Sequence, residues 1–542
     1  MGHTRMVGSM ALGGLVLTVG LAGLSPGVAS SQAAHGGAPP RSGGALQVAV
    51  DAVGGEEALR GLKSFDYRAE TERSILDEGT VPGDGAQPAA DVTSRVRYVL
   101  RGSKPARIRI DNVRTSLGVD REVREVLSGR RGYIRGVDAN FSQPATKPMT
   151  SDRWAAIHAE QELLNPQVLL RRALDRPGLV SGAGRRTIDG RRYRVLELRD
   201  DVAPIRLYVD LSTKRIAMLR TVQHDYLRRD VAIEVTYRNW KMAGDGLRFP
   251  RRVELTSDGF TMIDEKRSRL AANPNIAKHV FAIPDSVAYV APDDSLADIG
   301  ARTSQWLLSF VALGFIKDGG QRAINPISIT DGSTTATGVK LLGGVANNSL
   351  IVQRPGGVVV FEGALHDHRA EAVIRYIDES PDFTGPITHV VTTHHHADHA
   401  SGMRPYVALG ATVVVGEQAV AFFQKVFSER DSTILPDRLD QSTVAANVLG
   451  VPAAGLSLPN GIQVFPIQTT HSVDMVVPYV ADQGILFTSD IYSPPGLPNP
   501  TDANARAIAA MVTARGLTPK WIAGGHGTFI SYAAFKAALG IP

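Results

Sequence analysis

Four imidazoles and one carboxylate fall within six consecutive residues, His394-His395-His396-Ala397-Asp398-His399, and no other stretch constrains this chain as tightly. The tract lies inside the chain, directly after the apolar run Ile387, Val390, Val391 and before the small residues Ala400-Ser401-Gly402. A short strand that ends and throws its side chains onto a loop is where α/β folds place their chemistry. Imidazole is the commonest protein ligand for zinc, and a neighbouring carboxylate adds a hard oxygen donor. Surface histidine runs also bind metal adventitiously, but a tag would sit at a terminus and lack the interleaved Ala397-Asp398.

Three later stretches repeat the pattern of an apolar run ending in a candidate ligand. Thr470-His471-Ser472 follows Ile462 to Ile467, the run Gly484 to Ser489 leads into Asp490, and Ala523-Gly524-Gly525 precedes His526. Together with H-x-H-x-D-H at His394, His396, Asp398 and His399, the order of these stretches resembles the metallo-β-lactamase superfamily. That resemblance implies an αβ/βα sandwich with two zinc ions, iron or manganese being the other candidates. It places His394, His396 and His471 on a first ion and Asp398, His399 and His526 on a second, with Asp490 bridging both. His395 falls in a variable position and is read as lining the pocket or backing the ligands. Asp474 is placed to orient His471 or a neighbour from behind. Where many members carry an aspartate before the first helix, this chain has Glu362, which in the family supports the site rather than holding metal.

The ligand set implies a mechanism. Two divalent ions share a water, lower its pKa towards neutrality and present hydroxide as nucleophile, with Asp398 as the catalytic residue that orients it. The chain has no cysteine, which excludes the cysteine-containing zinc site of one β-lactamase subclass. A bridging Asp490 points away from β-lactams and towards thioesterases, lactonases, phosphodiesterases and nucleases of this fold. The resulting expectation is a zinc-dependent hydrolase of a small-molecule ester, thioester, lactone or related bond. Two other readings stay open: a mononuclear iron thiol or persulfide oxygenase of the same fold, and a lipid or envelope-component binding protein.

At 542 residues, with 43% hydrophobic and 21% charged residues, the chain is globular and long enough for more than one domain. His3 and Arg5 precede an apolar stretch from Val7 to Leu24, which Pro26-Gly27 breaks, and Gly27-Val28-Ala29 offers a small-x-small cleavage site. Residues 1–29 are therefore expected to be an export signal. The mature protein is expected outside the cytoplasm, secreted or periplasmic, with no membrane anchor after cleavage. Residues 30–44 form a low-complexity linker.

From residue 45 to about 290 the pattern is period-two alternation in short pieces, such as Arg95 to Val99, Arg107 to Ile110, Ile205 to Val209 and Val231 to Tyr237. Asp189-Gly190, Ser212-Thr213-Lys214 and Gly244-Asp245-Gly246 supply turns. This predicts a mainly antiparallel sheet with one arginine-rich face, and helices mainly at Trp154–Leu164 and Pro166–Ala173. The run from Ile205 through Gly246 to Pro250, closing at Phe281 to Pro284, loosely resembles lipoprotein carrier and sorting domains, which implies either a lipid-binding cavity or a plain scaffold. Residues 1–300 carry 44 Lys+Arg against 36 Asp+Glu, whereas residues 301–542 carry 15 against 18. The arginines alternate along strands with little aromatic interleaving, which argues against nucleic acid as a partner. Residues 291–300 read as a linker, with a helix around Trp306–Phe315, and residues 301–542 read as the metal-binding domain. The fold class is thus α/β, a sandwich preceded by an antiparallel β-rich domain.

Overall fold

Alternating apolar and polar residues demand a sheet with one dry and one wet face, and the first half of the chain folds this way. The computed structural model describes residues 43–542 except 103, 117, 138–143, 313–322, 345–346 and 459–460. The expected export signal, residues 1–29, and residues 30–42 of the expected linker lie outside the described residues. Thirteen strands form one antiparallel sheet, with Ser64–Ile75 near its middle between Gln87–Arg101 and Phe260–Ala272. One wing runs in chain order out to Ala145–Pro148, and the other ends at Val180–Ile188. Asp189-Gly190 and Asp258-Gly259 close two-residue hairpins with positive φ at both positions, the backbone that suits the twist of paired strands.

The wet face carries the expected arginines. Arg95, Arg97, Arg109, Arg124 and Arg135 line a trough of about 970 Å³. The dry face is covered by helices Ser151–Leu164 and Pro166–Asp175, in the two segments where helical periodicity was expected. Helix Ser151–Leu164 is docked by buried ion pairs: Arg153 to Glu125 and Arg73 to Glu160, each at 2.6 Å. The space left between helix and sheet is about 40 Å³, lined in part by Arg73, Glu125, Glu160 and Glu265. That volume is room for a water.

The stretch expected as a linker instead carries helix Asp294–Arg302, followed by Ser304–Ala312. The Asp293 carboxylate caps it by accepting from the Leu296 amide at 2.9 Å. Gly300 lets it lie against helix Ser151–Leu164, since a Cβ there would meet the Asp152 carbonyl at 2.1 Å.

Beyond these helices, two sheets face each other. The first has seven strands from Asn325–Ile327 to Val448–Val451, antiparallel up to Gly357–Phe361 and parallel thereafter. The second has six, from Leu456–Ser457 to Phe529–Ser531. Val359, Phe361, Val391 and Val414 of the first share a buried core with Val464, Val476, Ile485 and Phe487 of the second. Helices Asp367–Glu379 and Val420–Ser428 bury apolar side chains in the core outside the first sheet, and Ala503–Ala514 and Tyr532–Ala538 do so for the second. This is the αβ/βα sandwich. Among the described residues no helix is long and apolar enough to cross a membrane.

The two halves share one hydrophobic core. Tyr226 and Trp306 belong to the same buried cluster as Leu342, Val373 and Met403, and Tyr226 meets Trp306 at 4.8 Å and His366 at 5.4 Å. Around this core Arg229 pairs with Asp437 at 3.2 Å, and Asp230 accepts from the Ser432 hydroxyl at 2.6 Å.

Candidate metal centre

Each expected donor stands just past a strand end, and both sheets deliver theirs to the same place. His394 to His399 follow strand Ile387–Val391, with Ala397–Ala400 forming a single helical turn. His471 follows Ile462–Pro466, Asp490 follows Ile485–Phe487, and His526 follows Trp521–Ala523. Their donor atoms converge in two groups that share Asp490. One is His394, His396, His471 and Asp490; the other is Asp398, His399, Asp490 and His526.

The distances suit ions. His394 Nε2 and His471 Nε2 are 3.1 Å apart, and His471 Nε2 is 3.5 Å from Asp490 Oδ2. His526 Nε2 lies 3.1 Å from Asp490 Oδ1 and 3.4 Å from Asp398 Oδ2. His399 Nε2 lies 2.9 Å from Asp490 Oδ1 and 3.3 Å from Asp398 Oδ1. Donors around one tetrahedral zinc, at about 2.1 Å each, sit about 3.4 Å from one another. Asp398 Oδ1, His399 Nε2 and Asp490 Oδ1 are buried with no hydrogen-bond partner. Orphaned nitrogen and oxygen donors aimed into one volume are a set that a divalent metal fits.

The atoms behind the donors are held as well. His394 Nδ1 is 3.0 Å from the Thr393 hydroxyl, which donates to Glu362 Oε1 at 2.5 Å. Ser489 donates to the same oxygen at 2.9 Å, and His399 Nδ1 lies 3.6 Å from it. Glu362 thus backs both groups from a fully buried position with φ of 70°. His395 turns away from the donors: its Nδ1 is 2.8 Å from Asp474 Oδ1, and both are buried. Hence Asp474 orients His395 rather than His471, and His395 backs the tract instead of lining a pocket.

Charge divides the two groups. Burial, then the neighbouring imidazoles, hold His394 well below the ordinary histidine range and bring His396 down to about 4; burial also lowers His471. These are neutral rings, the state that binds metal. Burial opposes the charged forms of His399 and His526 too, but Asp398 and Asp490 outweigh it and raise both. In return His399 and His526 hold the two carboxyls far below their usual range against the cost of burial.

Two contributors escape the sequence reading. Asn347 donates from Nδ2 to Asp398 Oδ2 at 2.9 Å and to the Asp398 carbonyl at 3.0 Å. Its only signal was a pair of amides, Asn347-Asn348, just ahead of an apolar strand. Residues 77–80 also reach the site: the Gly79 carbonyl lies 2.7 Å from His396 Nε2.

Residues 342–526 match the family model of the metallo-β-lactamase superfamily, and the C-terminal domain has that fold. Solved structures resemble part of the chain. A metallo-β-lactamase from Hirschia baltica is 18% identical, with 40% of this chain and 96% of that one covered and a TM-score of 0.30. One from Pontibacter korlensis is 21% identical, with 40% and 93% covered and a TM-score of 0.28. The apo chemotaxis sensor ODP from T. denticola is 18% identical, with 40% and 93% covered and a TM-score of 0.30. No curated protein matches the chain.

Proposed function

We propose that the chain is a metal-dependent hydrolase whose donor groups hold two divalent ions, zinc ahead of iron or manganese. Its substrate is a small molecule with an ester, thioester, lactone or related bond. The observation that carries this reading is the shared Asp490: Oδ1 faces His399 and His526 while Oδ2 faces His471. One carboxylate placed between two complete donor groups is the arrangement for a bridged pair, and a single iron needs only one of them.

Ions held there supply an acidified water and an electrophilic pole for a carbonyl or phosphoryl oxygen. Asp398 stays a carboxylate because His399 and His526 offset its burial. Asn347 pins its Oδ2, which leaves Oδ1 turned towards the donor cluster. Neutral His394, His396 and His471 present lone pairs without having to release protons. His399 and His526 must release theirs, so loading of the second group favours higher pH.

The test is metal analysis of purified protein followed by a panel of lactones, thioesters, phosphodiesters and β-lactams. We expect two metal equivalents per chain, and hydrolysis at background in Asp490→Ala and Asp398→Ala variants. One iron per chain sinks the hydrolase reading. Export is part of the same proposal, on the strength of residues 1–29, and the N-terminal sequence of protein recovered outside the cytoplasm should begin near Ser30.

A further inference from the structure

The thirteen-stranded sheet does more than stand beside the metal centre. After strand Ser64–Ile75 the chain leaves the sheet and lies across the histidine tract. Glu78 Oε1 and the Asp77 carbonyl both accept from the Ala397 amide at 3.1 Å. The Gly79 carbonyl sits 2.7 Å from His396 Nε2. Thr80 accepts from the Val473 amide at 2.9 Å and from the Ser472 hydroxyl at 3.5 Å, directly after His471. Residues 77–80 therefore brace the segments carrying two of the three imidazoles of the first group.

The strap is itself gripped from the sheet. Arg228 donates from Nε and Nη2 to the two oxygens of Asp77, each at 2.8 Å, and from Nη2 to the Asp84 carbonyl at 3.3 Å. Asp77 is buried with φ of 57°, a left-handed backbone that a non-glycine residue keeps only where its surroundings over-determine it. Glu78 is not one of the donors. Its Oε2 lies 3.6 Å from His396 Nδ1, but none of the donor groups found among the described residues includes it.

We propose that residues 77–80 are a positioning strap: the Gly79 carbonyl holds His396 in the tautomer protonated at Nε2, leaving Nδ1 for the ion, while Glu78 and Thr80 fix the turns bearing Asp398 and His471. A backbone carbonyl behind a metal-binding imidazole selects its tautomer and orientation. The inference rests on reading the two donor groups as metal sites.

The experiment is zinc titration of metal-free, full-length protein against a chromogenic chelator. His471→Ala and His526→Ala assign the two equivalents. In Arg228→Met and Glu78→Ala we expect the first-group equivalent to weaken on the order of 10–100-fold, with the second within about threefold. Glu78→Gln should bind as wild type, because its amide oxygen still accepts from Ala397. Nitrogen-15 spectra of the metal-free protein should show His396 protonated at Nε2 in wild type and a mixture of tautomers in the two weakened variants. Wild-type zinc binding in both Arg228→Met and Glu78→Ala overturns the strap and leaves the metal reading intact. So does equal weakening of both equivalents with a lowered melting temperature, which would make residues 77–80 a general brace. A wild-type protein that binds no zinc overturns both.

Discussion

His394 shows how little of a ligand is its metal-facing atom. Behind Nε2 stands a relay through the Thr393 hydroxyl to Glu362, which also receives Ser489 and, at 3.3 Å, Thr392. A glutamate in a position where an aspartate is usual is legible in the sequence; its job is not, because reach is a property of three dimensions. Both short hydrogen bonds end on Oε1, so length matters here more than charge. We expect Glu362→Asp, one methylene shorter, to weaken zinc binding on the order of 10-fold or more. Glu362→Gln, which keeps an oxygen at the same reach, should stay within about threefold. Chelator competition on the two variants checks this, and the reverse order would show that charge governs the position.

At the scale of elements, strand Arg215–Asp225 brings His224 into the contact between the halves, 1% exposed and 3.5 Å from the Ser432 hydroxyl. Burial, set against the neighbouring Asp230, lowers this histidine to about 4. Its folded value lies below the ordinary 6.5, so its contribution to stability is full above pH 6.5 and is lost as pH falls towards 4. The loss amounts to about 3 kcal/mol. Urea denaturation from pH 7.5 to 4 should show a steeper decline in wild type than in His224→Gln. Helix Asp294–Arg302 teaches a different lesson. Pro292 and two aspartates read as a linker, yet Asp293 is the N-cap, and an acidic pair ahead of an amphipathic nonapeptide is also a start signal. The strands were legible because alternation is local. The Asp77–Thr80 strap was not, since it has no periodicity and its partner lies 317 positions away.

For the whole molecule, the continuous core through Tyr226, Trp306 and Val373 means that each half would leave part of its apolar surface uncovered without the other. We expect one cooperative thermal transition rather than two, and a rise in its midpoint when zinc is added. Zinc at about 100 times its dissociation constant stabilises by roughly 2.7 kcal/mol per site. Two separated transitions in calorimetry would show that the halves melt independently.

The strap also sets an order of events during biosynthesis. Asp77 to Thr80 leave the ribosome long before His394 to His399, so the carbonyl that orients His396 is already in the chain when the imidazoles emerge. A chain still lacking its sheet carries the same histidines but no template to close them on. Such a chain should compete poorly for scarce metal, so that occupancy of the centre reports a finished fold.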